Sequence, residues 1–197
     1  MKLNKKNIII VTFVVVFVLL LLLVFFQSPS DRVARILRKN GYTNEKGSSL
    51  YSKQVSTLNL SQFNQKVKLG DSAVYEENYF DSSKYQFIKN KMEYSDNIRT
   101  NFTPKYDYIT GYLTYTYRVI INDNSNVIFE GNYNYGTNAF VCENTYTHEF
   151  EIEGNEDIFC NKIEQNVKDF YLETMSVIKN VNLIHQMMEE NDGQKGD

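Results

Sequence analysis

Cys142 and Cys160 are the residues whose type and spacing point most directly to a chemical role, and they are the only two cysteines of the chain. An even number of cysteines in an exported domain is typical of a disulfide, and closing a loop of this size stabilises a fold by about 3 kcal/mol. We therefore predict a disulfide that joins a strand to a helix. In a reducing compartment, the alternative is two buried thiols that act as small apolar side chains.

Metal binding and catalysis find little support among the remaining polar residues. His148 lies between the cysteines, but this spacing matches no zinc motif. No calcium-binding loop is formed by the neighbouring carboxylates, which are Glu149, Glu151, Glu153, Glu156 and Asp157. His185 is the second histidine, and no nucleophile-elbow or phosphate-loop motif occurs. We predict no metal, no cofactor and no catalytic residue, with a carboxylate-dependent envelope hydrolase built on "EFEIEGNED" as the alternative.

Tyrosine is the remaining candidate for a functional role, because the chain contains 15 of them. A tyrosine offers a large aromatic face and loses little conformational entropy when it binds. We predict that Tyr106, Tyr108 and Tyr112 form a flat surface for sugar rings or a peptide, and that Tyr133 and Tyr135 extend it. The alternative is that these residues simply suit pleated strands.

Strands are predicted most strongly between Asp107 and Ile152, where tyrosine, threonine and β-branched residues dominate. Two clusters of turn residues divide this segment into at least three consecutive antiparallel strands, a meander. In the first strand one face is assigned to the core, and its residues are Leu113, Tyr115, Tyr117, Val119 and Ile121.

Helices are predicted at both ends of the exported part. Ser28 is a suitable N-cap for a short helix with Pro29 at its first position, and Gly41 is a suitable stop. One side of this helix carries Arg32, Arg35 and Lys39, which could contact anionic headgroups as a membrane-proximal basic face. The alternative is an ordinary solvated polar face. A long C-terminal helix is predicted over residues 156–188, either with a kink near Asn180 or with its far end projecting toward a partner. Residues 190–197 are predicted to form a polar, disordered tail.

A transmembrane anchor is predicted over residues 8–26, because eighteen of these nineteen residues are strongly apolar. The alternative is a cleavable signal peptide, but this apolar stretch is longer than usual for one and no small-residue cleavage site follows it. Residues 1–7 then form a short cytoplasmic tail, and residues 28–189 form one extracytoplasmic domain. Basic residues flank both ends of the anchor, and the short N-terminal tail favours a cytoplasmic N-terminus. Residues 27–197 carry 18 basic and 24 acidic side chains, a net charge of -6. This balance argues against nucleic acid as a partner.

The sequence thus predicts an α+β fold with an N-terminal transmembrane helix, an antiparallel meander sheet and a long C-terminal helix. The expected localisation is the cell membrane, with the bilayer as a partner through residues 8–26. We expect a non-enzymatic binding domain for another envelope protein or a cell-surface polymer. The alternatives are the hydrolase and a self-associating structural component of the envelope.

Overall fold

The computed structural model describes residues 12–20, 28–121, 125–146, 156–177 and 181–193. The chain divides into two compact units, residues 37–179 and a second unit of residues 1–36 with 180–197. The predicted single domain of residues 28–189 spans parts of both units.

Seven strands form one antiparallel sheet in unit 37–179, and each strand pairs with the next along the chain. The strands are β1 (Leu50–Gln54), β2 (Ala73–Asp81), β3 (Gln86–Ser95), β4 (Ile98–Asp107), β5 (Leu113–Ile121), β6 (Ser125–Asn134) and β7 (Ala139–Tyr146). The order along the sheet is β1 to β7, a simple meander.

Five helices lie within the described residues, and the first covers residues 12–20. The others are α1 (Pro29–Lys39), α2 (Leu60–Leu69), α3 (Glu156–Val177) and α4 (Val181–Gly193). Helix α1 begins as predicted, because Ser28 Oγ accepts a hydrogen bond from the Asp31 backbone N–H at 3.2 Å. Gly41 adopts the predicted left-handed conformation with φ of 85°.

The two faces of the sheet differ in what covers them. Alternation along paired strands places one set of side chains against α3, and we call this the helix face. Its members include Asn78, Phe80, Phe87, Lys89, Tyr106, Tyr115, Phe129, Tyr133 and Cys142. The opposite side is the open face, where α2 packs at one corner through Phe63 against Tyr75 and Met92. The predicted core face of β5 is confirmed for Leu113, Tyr115, Tyr117 and Val119, which are buried, whereas Ile121 at the end of the strand is partly exposed.

The predicted fold class is wrong in its transmembrane helix. None of the helices in the part of the chain that the structure describes is both long and apolar enough for a bilayer crossing. Within the predicted anchor of residues 8–26, only residues 12–20 are described, and they are helical. The predicted localisation as a single-pass membrane protein is corrected with it. Residues 1–11 and 21–27 lie outside the described residues.

The C-terminal region also differs from the single long helix predicted over residues 156–188. It contains two helices, α3 and α4, and residues 178–180 between them lie outside the described part. The predicted disordered tail of residues 190–197 begins too early, because α4 continues to Gly193. Ser30 and Glu190 belong to the same unit, and the Ser30 hydroxyl donates a hydrogen bond to the Glu190 carboxylate at 2.9 Å.

Candidate functional site

The predicted disulfide is present and joins Cys142 of β7 to Cys160 of α3. The two Cα atoms lie 6.0 Å apart, a usual distance for a disulfide. Because Cys142 lies on the helix face, the bond fastens the first turns of α3 to the last strand of the sheet. It is a structural attachment, as the sequence predicts.

A second attachment of α3 is a buried charge cluster around Lys89 of β3. Lys89 is 9% exposed, and its Nζ atom lies 2.8 Å from Glu76 Oε1 and 2.6 Å from Glu173 Oε2. Asn78 is also buried, and its Nδ2 atom donates a hydrogen bond to Glu173 Oε1 at 2.7 Å. The Lys89 ammonium group also lies 5.9 Å from the centre of the Phe170 ring. This cluster therefore ties the C-terminal half of α3 to β2 and β3.

The pKa shifts in this cluster keep Lys89 positively charged and the neighbouring Tyr42 neutral. Burial alone would lower the pKa of Lys89, but hydrogen bonds to Glu173 and Glu76 outweigh it and raise the pKa above its ordinary value. Burial raises the pKa of Tyr42, and the nearby charge of Glu173 raises it further. Lys89 forms ion pairs with two carboxylates of the same cluster. We therefore interpret the cluster as a structural contact that holds α3 on the sheet.

A cluster of five tyrosines links the helix face to the protein surface. We call it the tyrosine cluster, and its members are Tyr106, Tyr108, Tyr133, Tyr135 and Tyr171. Tyr171 of α3 is its centre, because its ring meets the ring of Tyr106 edge-on at 5.2 Å and stacks on the ring of Tyr135 at 4.2 Å. Such offset or edge-on pairs stabilise by about 0.5–1.5 kcal/mol beyond the area that they bury.

The predicted aromatic surface of Tyr106, Tyr108 and Tyr112 is not formed by these three residues. Tyr106 and Tyr108 are only 7% and 8% exposed, whereas Tyr112 is 52% exposed. Burial, with the neighbouring Tyr171 and Tyr108, raises the pKa of Tyr106 to about 12. The error has a simple cause: Tyr106 lies on the helix face beneath α3, and a strand pattern alone does not show which face a helix will cover.

Tyr135 is the member of the cluster that reaches solvent, with 52% of its surface exposed. It lies in the turn between β6 and β7, where the Thr137 backbone N–H donates a hydrogen bond to Asn134 Oδ1 at 3.1 Å. The Tyr133 hydroxyl also donates a hydrogen bond to Asn138 Oδ1 at 2.8 Å. These bonds hold the turn, and stacking on Tyr171 holds the ring. Tyr135 therefore presents a rigid aromatic face.

Two charged groups beside Tyr133 of the tyrosine cluster are paired with each other. Lys168 Nζ lies 2.7 Å from Glu164 Oε1 and 5.8 Å from the centre of the Tyr133 ring. The other side chains of the β6–β7 turn are amides and a hydroxyl, from Asn134, Thr137 and Asn138. The surface beside Tyr135 thus combines an aromatic face with uncharged hydrogen-bonding groups.

The open face carries a separate feature, a shallow groove of about 490 Å³ across β3 to β6. The lining of the groove includes Ile88 and five polar or charged residues, which are Thr103, Lys105, Thr114, Thr116 and Glu130. Lys105 forms no ion pair within the described residues. This groove lies on the side of the sheet opposite the tyrosine cluster.

Other residues singled out from the sequence are scattered or outside the described part. Arg32, Arg35 and Lys39 are exposed on α1, as a basic face requires, but the membrane that was expected beside them is not supported. His148 and the carboxylates of residues 149, 151 and 153 lie outside the described residues. Among the residues that are described, no three potential metal ligands come together.

Tyr171 and Lys89 are the residues that sequence reasoning missed. Tyr171 belongs to the predicted helical stretch, and its position one residue after the buried Phe170 could have suggested a side chain at the edge of the helix–sheet contact. Lys89 meets Glu173 across 84 residues of sequence, and no local pattern indicates that pairing. Comparisons of the whole chain with protein-family models, with curated proteins and with solved structures find no match.

Proposed function

We propose that the protein is a non-enzymatic binding module, and that it holds a neutral carbohydrate polymer against the ring of Tyr135. The main observation in support is that this ring is both exposed to solvent and held in a fixed position. It is half exposed, supported from behind by Tyr171 and placed in a hydrogen-bonded turn.

Preorganisation is the first argument for binding at this position. A ligand that stacks on Tyr135 does not need to immobilise the ring, because the Tyr171 ring already lies 4.2 Å from it. Each side chain that must be immobilised on binding costs about 0.5–1.5 kcal/mol. That cost is reduced at Tyr135.

The neutral surroundings are the argument for the chemistry of the ligand. The amides of Asn134 and Asn138 and the hydroxyl of Thr137 supply both hydrogen-bond donors and acceptors. Lys168 is already paired with Glu164 at 2.7 Å, so it is not a free cation for an acidic polymer. A sugar ring matches this surface, since its carbon face stacks on an aromatic ring while its hydroxyl groups bond to amides.

Retention of the full-length chain on a panel of insoluble neutral polysaccharides tests the proposal. We expect one of them to retain the protein, and we expect Tyr135→Ala to weaken retention by about tenfold or more, equivalent to about 1.4 kcal/mol. Tyr112→Ala is the matched control, because Tyr112 is also 52% exposed but lies outside the tyrosine cluster. Circular dichroism of each variant establishes that the fold is kept.

Two outcomes would contradict the proposal. The first is equal loss of retention in Tyr135→Ala and Tyr112→Ala, which would mean that any exposed tyrosine contributes in the same way. The second is that no neutral polysaccharide retains the unmodified protein. Loss of retention in Lys105→Gln alone would move the binding site to the groove on the open face.

A further inference from the structure

The stacked pair of Tyr135 and Tyr171 has a second property, which is independent of ligand binding. The ring centres lie 4.2 Å apart and the ring planes differ by 21°. Aromatic rings at this distance are in van der Waals contact over part of their area. Carbon atoms of the two rings therefore lie next to each other before any reaction occurs.

Three attachments hold this contact in place. Hydrogen bonds within the β6–β7 turn position Tyr135. The edge of the Tyr106 ring, 5.2 Å from Tyr171 and nearly perpendicular to it, supports the second ring. The disulfide between Cys142 and Cys160 joins the same hairpin to the same helix. The two rings are thus carried by elements that are already linked covalently.

We propose that Tyr135 and Tyr171 form an oxidative modification site, at which a peroxidase-type one-electron oxidant couples the two rings into a dityrosine. Each phenol loses one electron and one proton, which leaves two phenoxyl radicals. The radicals combine through a bond between ring carbons ortho to the oxygens. Both rings recover aromaticity when those carbons release their protons and the oxygens are protonated. In total, the pair loses two hydrogen atoms and one hydrogen peroxide is reduced to two waters.

Access and proton release both favour this pair. Tyr135 is 52% exposed, so a diffusing oxidant reaches its ring and water can accept its proton. Tyr171 is the partner in contact with it and is itself partly exposed, so water can also accept the proton of its phenol. Tyr106 contacts Tyr171 edge-on and is 7% exposed, a poorer position for reaction. Tyr112 is equally exposed, but no ring stacks on it within the described residues.

The product would be a second covalent link between the β6–β7 hairpin and α3. Cys160 and Tyr171 are eleven residues apart, or about 16 Å along the helix. The disulfide and the dityrosine would therefore hold α3 at two separated points. Unlike the disulfide, the carbon–carbon bond resists reduction by thiols.

Treatment of the dilute full-length protein with a peroxidase and hydrogen peroxide tests this inference. We expect a monomeric product that lacks two hydrogen atoms and shows dityrosine fluorescence. Proteolysis followed by mass spectrometry should recover one crosslinked pair of peptides, containing Tyr135 and Tyr171. Tyr135→Phe and Tyr171→Phe keep both rings but remove one phenol each, so each should abolish this crosslinked pair. Tyr112→Phe should leave its yield unchanged.

Two results would overturn the inference. One is a crosslinked product of undiminished yield in Tyr135→Phe or Tyr171→Phe. The other is oxidation that produces mainly dimers joined through Tyr112 or other tyrosines while the Tyr135–Tyr171 peptide pair is absent. Circular dichroism of the phenylalanine variants confirms that an absent crosslink does not reflect an unfolded protein.

Discussion

Replacement of Lys89 by methionine is the most informative perturbation of the fold. Lys89→Met keeps most of the side-chain volume but removes the ammonium group between Glu76 and Glu173, which lie 2.8 Å and 2.6 Å from it. Removing one partner of a fully buried ion pair costs about 3–5 kcal/mol, because the remaining charge is left unpaired. The Glu173 side chain is 39% exposed and regains some water. We therefore expect a loss of about 2–3 kcal/mol in the free energy of unfolding.

Urea denaturation of the oxidised protein measures this loss, with circular dichroism as the signal. Lys105→Met is the matched control, because Lys105 lies on the neighbouring strand, faces the groove and forms no ion pair within the described residues. It should change the free energy of unfolding by less than about 0.5 kcal/mol. The double variant Lys89→Met/Glu173→Gln should recover part of the loss, since it removes one of the unpaired charges. Equal changes in the free energy of unfolding for Lys89→Met and Lys105→Met would refute the conclusion that the cluster stabilises the contact between α3 and the sheet.

Three further predictions concern stability, and equilibrium unfolding checks each of them. Replacing both Cys142 and Cys160 by serine should lower the free energy of unfolding by about 2–4 kcal/mol, and an unchanged value would show that the disulfide does not constrain the chain. Gly131→Ala should lower the free energy of unfolding by about 1–3 kcal/mol or more, because an added Cβ would lie 1.9 Å from the Val141 carbonyl oxygen. An unchanged free energy of unfolding would contradict that close approach. Stability should also fall as the pH rises above about 10, since burial raises the pKa of Tyr42 and Tyr115 above the ordinary 10.0 and the unfolded chain then releases its protons first. Stability that is constant through pH 11 would exclude this contribution.

Local patterns in the sequence predict local structure well in this protein. The alternation in β5 identifies its buried face, because successive side chains of a strand point to opposite sides. The N-cap at Ser28 follows from hydrogen-bonding chemistry that needs only three neighbouring residues. The disulfide is also predictable, since the chain offers only one possible pair of cysteines. In each case the information lies within the segment itself or in the cysteine count.

Contacts between distant segments account for most of what sequence reasoning missed. The burial of Tyr106 depends on α3, whose Tyr171 lies 65 residues further along the chain. The pairing of Lys89 with Glu173 likewise depends on where α3 crosses the sheet. The predicted anchor is a different kind of error, because it is based on the apolar composition of residues 8–26, whereas none of the described helices is long and apolar enough to cross a membrane.

The central claim is that Tyr135 contacts a neutral carbohydrate. Nuclear magnetic resonance of the full-length protein with isotope-labelled tyrosine rings tests it most directly, using soluble fragments of the retained polysaccharide as the ligand. Single tyrosine-to-phenylalanine variants assign the ring signals of Tyr135, Tyr171 and Tyr112. We expect the Tyr135 signals to shift most, the signals of Tyr171 behind it to shift less and the Tyr112 signals to stay unchanged. Shifts that are largest at Tyr112, or an unchanged Tyr135 ring at saturating ligand, would contradict it.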